Sequence, residues 1–141
     1  HRALDEVGGA GLVNVPVLDP ACGSGNFLYV ALRRLLDLEK RVVNFAFRRG
    51  IALDFRVRPT QLLGMEISHF AHELASVVVW IGYLQWVKAN GYGTPTEPIL
   101  KPMEGNFENK DAILDLSDPE KPKEPDWPKV RVCSRMRPSA R

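Results

Sequence analysis

Cysteine is scarce: two in 141 residues, Cys22 and Cys133, far apart along the chain. So placed they form neither the Cys-x-x-Cys spacing of a metal site nor the paired framework of a small secreted domain, so a reducing cytoplasm without disulfides is expected. Charge of one sign is also lacking. Nineteen Lys and Arg against seventeen Asp and Glu leave +2. That sum argues neither for nor against a polyanionic partner, because a local patch counts for more than a total. No apolar run reaches the about 18 residues needed to cross a bilayer. Residues 1–11 lack an initiator methionine and the apolar centre of a signal peptide, so a soluble piece of a larger protein is expected. The length accommodates one domain, or part of one. There is no internal repeat.

What is present centres on Asp19-Pro20-Ala21-Cys22-Gly23-Ser24-Gly25-Asn26-Phe27, directly after the apolar stretch Val13 to Leu18 and before a long helical pattern. The order is strand, glycine turn, helix. Gly23 and Gly25 let the backbone turn tightly and let a ligand lie against it, with the first helical amides pointing into the space they leave. A P-loop would end in Gly-Lys-Ser/Thr, and a dinucleotide fingerprint wants a third glycine where Leu28 stands. Instead Asp19 ends the strand, and a carboxylate there suits a ligand carrying an ammonium or sulfonium group. S-adenosylmethionine carries both.

Asn26 to Arg49 has apolar residues at Leu28, Ala31, Leu32, Leu35, Leu38, Val42 and Ala46, one helical face, with Arg48 and Arg49 in the last turn and Gly50 as a stop. Leu62 to Ile67 reads as a buried parallel strand, and Ser68 as the N-cap of the next helix. That helix, His69 to Asn90, is apolar almost all round at Val77-Val78-Val79-Trp80-Ile81 and so should be buried on more than one side, ending at Gly91. A short strand follows near Phe107 to Asn109. Alternating strands and helices predict an α/β fold, a parallel sheet with flanking helices, with Asp19, Glu66 and Asp111 at the strands' carboxyl ends, where such sheets bind ligands. Gly91 to Pro98 and the proline-studded Asp115 to Pro128 read as loops.

The run Asp19 to Phe27 resembles motif I of the DNA amino-methyltransferases, specifically the adenine-N6 branch. Gln61-Leu62-Leu63-Gly64-Met65-Glu66-Ile67 resembles motif II, a short strand ending in an acid. Ala71-His72-Glu73-Leu74-Ala75, Trp80 to Trp86 and Pro98-Ile99-Leu100-Lys101-Pro102 resemble the MmeI-like restriction-modification proteins, in which methyltransferase and endonuclease share one polypeptide. Glu108 to Leu114 resembles their motif III. The similarity runs from Val15 to Leu114. It implies an incomplete Rossmann-like, class I S-adenosylmethionine-dependent methyltransferase fold, a prokaryotic cytoplasmic protein, and DNA as partner of the full-length protein. In the implied cofactor site Asp19, Pro20, Ala21, Cys22, Gly23, Gly25, Asn26 and Phe27 cradle the methionine moiety. Glu66, with Ile67, takes the ribose hydroxyls, and Asp111, with Ala112, takes the adenine.

The family's motif IV, Asn/Asp-Pro-Pro-aromatic, holds the extruded adenine, and no Asn-Pro-Pro-aromatic occurs anywhere in the chain. Where its strand should lie stands Lys129-Val130-Arg131-Val132, followed by an arginine-rich, acid-free end. That end resembles an out-of-frame continuation or a truncated gene; an authentic divergent end is the alternative. The chain is thus expected to hold a cofactor-binding part (1–114), a proline-rich charged loop (115–128) and a basic tail (129–141), and to transfer no methyl group by itself. Two other classes stay open: a nucleotide-binding oxidoreductase domain, and a non-catalytic remnant that binds DNA or a partner protein. Simpler roles stand beside several of these assignments. Cys22 without a helper base fills a small apolar space. Trp80, Tyr83 and Trp86 suit core packing better than base stacking. His69 and His72 are three apart rather than four and lack a third ligand, so no metal is expected.

Overall fold

Two short strands and a two-residue third form the sheet, and long helices join them. In chain order these are β1 (Val17–Asp19), α1 (Asn26–Phe47), a 3-10 turn (Pro59–Gln61), β2 (Leu62–Met65), α2 (His69–Ala89) and β3 (Phe107–Glu108). This is a computed structural model that describes residues 12, 15–92, 105–115, 118, 120, 121 and 123. The strands are parallel in the order β1-β2-β3. Val17 faces Leu62, Asp19 faces Gly64, and Met65 faces Glu108. Two crossovers that step the same way across a parallel sheet place both helices on one of its faces. The result is a parallel α/β sheet with flanking helices, as the alternation of elements predicts.

The central strand β2 is buried at all four residues, which explains why its sequence runs apolar without alternation. The core gathers Leu28, Leu32 and Leu36 of α1, Val57 and Leu62, and Ala75, Val79, Tyr83, Trp86 and Val87 of α2. The seam between the helices depends on small residues. A Cβ on Gly82 would lie 2.2 Å from Cδ2 and 2.4 Å from Cε2 of Tyr29, so the edge of the tyrosine ring abuts the glycine. Polar ties border the seam: Trp86 Nε1 donates to Asp37 at 2.7 Å, and Lys40 Nζ to Asn90 at 2.6 Å.

Both helices end in the same way. After α1 the amide of Gly50 bonds the carbonyl of Phe47 and that of Ile51 bonds Ala46; after α2, Gly91 bonds Lys88 and Tyr92 bonds Val87. Gly50 and Gly91 sit at φ 75° and 73°. These are paired Schellman closures, which need a left-handed residue. Ser68 caps α2 as expected, its side chain accepting from the amide of Ala71 at 3.4 Å.

Several expectations change. Helix α1 stops at Phe47, so Arg48 and Arg49 form the closing turn rather than the last helical one. Leu36, not Leu38, faces the core, and Leu38 is exposed, because the sheet covers an arc centred nearer Leu32 and Glu39. The expected burial of α2 on more than one side fails: Phe70, Leu74, Val77 and Ile81 are all exposed along its back. The sheet and α1 together cover only one side of it. The second strand ends at Met65 and the third at Glu108, since the chain turns into the site immediately afterwards. Part of the proline-rich loop is not featureless, for Asp115 and Lys123 form an antiparallel bridge. The strand suggested at Lys129 to Val132 and the basic tail lie outside the described residues.

One core group carried no sequence signal. Glu39 is 2% exposed, and its carboxylate accepts the amides of Arg56 at 2.7 Å and Val57 at 3.0 Å. It fastens the connection before β2 to α1, satisfying backbone donors that would otherwise be buried without partners. The helix seam makes a direct prediction. Gly82→Ala should lose about 1–3 kcal/mol of stability through overpacking against Tyr29, measured by denaturant unfolding, and Tyr29→Ala in the same background should recover part of the loss attributable to the clash.

Candidate cofactor site

The glycine turn is fastened on both sides before any ligand is considered. The amide of Cys22 donates to the carbonyl of Met65 at 2.9 Å, continuing the β1–β2 pairing beyond the strand, and Gly25 closes the turn on the carbonyl of Cys22 at 2.8 Å. Asp19 Oδ1 accepts the amide of Ala21 at 3.1 Å, the local side-chain turn that aspartate favours. Gly23 and Gly25 sit at φ 54° and 83°, a region that side chains disfavour.

The two glycines differ in purpose. A Cβ on Gly23 would meet nothing within 4 Å, whereas one on Gly25 would lie 3.0 Å from the backbone oxygen of Ala75. Gly25 therefore lets α2 approach, and only Gly23 borders open space. Of the two glycines expected to make room for a ligand, Gly23 has open space beside it, while at Gly25 the neighbour is α2. Next to them Cys22 is buried, and Gly64 makes room for it: a Cβ there would lie 2.8 Å from the Cys22 sulfur and 2.7 Å from the Phe107 ring.

Glu66 is the pivot. Its Oε2 accepts the Gly23 amide at 2.8 Å, and its Oε1 accepts the Ser68 amide at 2.8 Å. One carboxylate thus joins the turn after β1 to the start of α2. Its own amide bonds the carbonyl of Glu108 at 3.0 Å. Burial pushes the Cys22 thiol up to about 11, and the charges of Asp19 and Glu66 add to the rise. Both carboxylates are therefore close enough to act on one sulfur, and the thiol stays protonated and inert at neutral pH.

The third expected acid is placed differently. The acid that ends β3 is Glu108, ion-paired with Lys110, and Asp111 lies three residues further on. Asp111 Oδ1 accepts the amides of Ile113 at 2.7 Å and Leu114 at 3.1 Å, so it organises the turn that contains Ala112. Asn26 and Phe27 are exposed at the start of α1, and Ile67 is exposed after β2. Sequence reasoning missed two asparagines. Asn109 Nδ2 donates to the carbonyls of Glu66 at 2.8 Å and Ile67 at 3.0 Å. Asn106 Nδ2 does the same at the other end of β2, to Thr60 at 2.7 Å and Leu62 at 2.9 Å. Their position immediately outside a very short strand was the only available signal. No group of His, Cys, Asp and Glu able to hold a metal ion occurs among the described residues, and none of their helices is long and apolar enough to cross a membrane.

Residues 4–102 match the family described as MmeI, DNA-methyltransferase domain. The chain belongs to that family. It is 31% identical over 75 residues to DNA methyltransferase A of Bacillus subtilis (strain 168), covering 48% of this chain and 8% of that protein. It is 32% identical over 82 residues to a protein of Methanocaldococcus jannaschii described as a type II restriction enzyme and methyltransferase, covering 52% of this chain and 6% of that one. The solved structure of the type IIL restriction-modification enzyme MmeI in complex with DNA superposes with a TM-score of 0.68 at 27% identity, over 92% of this chain and 17% of that one. The chain thus spans less than a tenth of these two relatives and less than a fifth of the solved enzyme. The fold is that of S-adenosylmethionine-dependent methyltransferases.

The burial of Cys22 is testable. In a Cys133→Ser background, Cys22 should resist iodoacetamide at pH 8 in the folded chain and react at the rate of an ordinary thiol after denaturation, because the raised pKa leaves almost no thiolate. Rapid alkylation of the folded chain would place the sulfur in solvent.

Proposed function

We propose that this chain is the cofactor-binding part, residues 1–114, of a DNA adenine-N6 methyltransferase of the restriction-modification type, acting in the prokaryotic cytoplasm on DNA through the full-length protein. The observation that carries the reading is the open cradle at Gly23, where a side chain would meet nothing within 4 Å, directly beside the carboxylates of Asp19 and Glu66. A ligand that is cationic at one end and carries vicinal hydroxyls fits this donor and acceptor set, and S-adenosylmethionine has both features.

Each residue has a distinct task in this reading. Asp19 and the backbone of Pro20, Ala21, Cys22 and Gly23 hold the methionine moiety, with the first amides of α1 at Asn26 and Phe27 beside it. Gly25 contributes through the close approach of α2. Glu66 uses two lone-pair directions on the Gly23 and Ser68 amides, and an ionised carboxylate has about four. The remaining directions are free to accept ribose hydroxyls, with Ile67 alongside. Asp111 and the Ala112 amide receive the adenine ring. When bound, S-adenosylmethionine supplies an electrophilic methyl group. The protein positions it, and positioning alone accounts for a large share of rate in such transfers. No residue of this chain is assigned to hold the target base, because the Asn-Pro-Pro-aromatic motif is absent from the sequence. The oxidoreductase alternative loses its ground with the family match.

Isothermal calorimetry with S-adenosylmethionine tests the reading. The wild-type chain should bind it in preference to NAD. Glu66→Ala should weaken binding by about tenfold or more, since bonds to a charged acceptor contribute roughly 1.5–3 kcal/mol each. Preference for NAD, or an unchanged dissociation constant in Glu66→Ala, would remove the site. The isolated chain should incorporate no labelled methyl into unmethylated DNA; turnover at adenine would reveal an acceptor site supplied by other residues.

A further inference from the structure

Helix α1 buries Leu28, Leu32, Leu36, Glu39 and Ala46. Arg34, Arg41 and Arg48 follow one another at intervals of seven, a near-integral number of turns, and all three are exposed. At 1.5 Å per residue they form a line about 21 Å long on the back of the helix, opposite its buried face. The line starts about 12 Å from the glycine turn and leads away from it.

No ion pair among the described residues includes Arg34, Arg41 or Arg48. The ion pairs there are His72 with Glu73 and Lys110 with Glu108, neither of them on α1. Of the two carboxylates of α1, Glu39 is buried on the Arg56 and Val57 amides, while Asp37, three residues from Arg34 and four from Arg41, accepts the Trp86 indole at 2.7 Å and keeps its charge, so the line sets three cations against one anion. The neighbouring cations are also tied down. Arg33 donates to the Tyr29 hydroxyl at 3.1 Å, Lys40 to Asn90 at 2.6 Å, and Arg49 lies 3.5 Å over the Phe45 ring. Arg34 and Arg41 on α1 and Arg48 in the turn that closes it are left as three guanidinium groups without an ion-pair partner.

We propose that this face of α1 is a second DNA contact, which grips backbone phosphates of duplex lying outside the target cleft, without regard to sequence. Planar, always-charged guanidinium forks bind phosphates in bidentate fashion, and three of them along one side of a helix give a duplex backbone several anchoring points. The inference rests on the proposed function only in taking duplex DNA as the polyanion. It gives the protein a means of holding DNA at sites it does not modify.

The experiment measures fluorescence anisotropy of a labelled duplex of unrelated sequence with the full 141-residue chain between 50 and 200 mM KCl. Each phosphate contact contributes about 0.9 to the salt slope, so the triple variant Arg34→Gln, Arg41→Gln, Arg48→Gln should lower it by about 2.7 and lose roughly fortyfold less affinity across that range. The arginines of residues 129–141 are common to both proteins and cancel. The corresponding triple Lys variant should keep most of the wild-type slope, since lysine still contacts phosphate as a point charge. S-adenosylmethionine affinity should be equal in wild type and the Gln variant. If wild type binds no S-adenosylmethionine, the proposed function fails while the salt slope still decides this inference. An unchanged slope in the Gln variant overturns it, as does an equal loss in the Lys variant, which would show that charge is not what matters.

Discussion

Glu66 closes the one contact on which the site's architecture depends. A single half-buried carboxylate ties the turn after β1 to the start of α2 by accepting an amide from each, at 2.8 Å and 2.8 Å. Such charge-assisted bonds are roughly twice as strong as neutral ones. They also fix which way the carboxylate faces, and with it where its unused lone pairs point. The left-handed geometry of Gly23 follows, since the amide must be aimed back at Glu66 while the Cα side stays open. The cost is local negative charge, which adds to burial in raising the Cys22 pKa. In the proposed function a cationic ligand would relieve that charge.

Support for this pivot comes from residues with no chemistry of their own. Asn109 holds the carbonyls of Glu66 and Ile67, and Asn106 holds the other end of the same strand. A strand of only two residues cannot fix its neighbour by ladder bonds alone, and the asparagine amides supply what the ladder lacks. Gly25, Gly64 and Gly82 act through absence: each permits a close approach, of Ala75, of Cys22 with Phe107, and of Tyr29. Together they bring α1, α2 and the sheet near enough for a turn of a few residues to be held rigidly.

Much of this could be read in the sequence because the signals were local. The glycine turn, the acid at the end of an apolar strand, the Ser68 cap and the Gly50 and Gly91 stops each follow from residue type and immediate neighbours. What escaped depends on tertiary geometry. Glu39 looks like any surface acid of an amphipathic helix until the connection at Arg56 and Val57 folds over it. Asp111 has the right type and order for a ligand residue, yet its Oδ1 is spent on its own turn, and Glu108 ends the strand. The back of α2 shows the limit of composition most clearly. An all-round apolar helix implies cover on every side, but Phe70, Leu74, Val77 and Ile81 are exposed in this chain, which spans only a small part of the relatives it matches.

The central claim is that Glu66, Gly23 and Asp111 bound one ligand site at the carboxyl edge of the sheet. Titrating S-adenosylhomocysteine into the 15N-labelled chain and following amide chemical shifts tests it most directly. The account predicts that the largest changes fall on the amides of Gly23, Ser24, Glu66, Ile67 and Ala112, with the ends of α1 and α2 remote from the turn unaffected. Shifts confined to other surfaces, or none at saturating ligand, would contradict it.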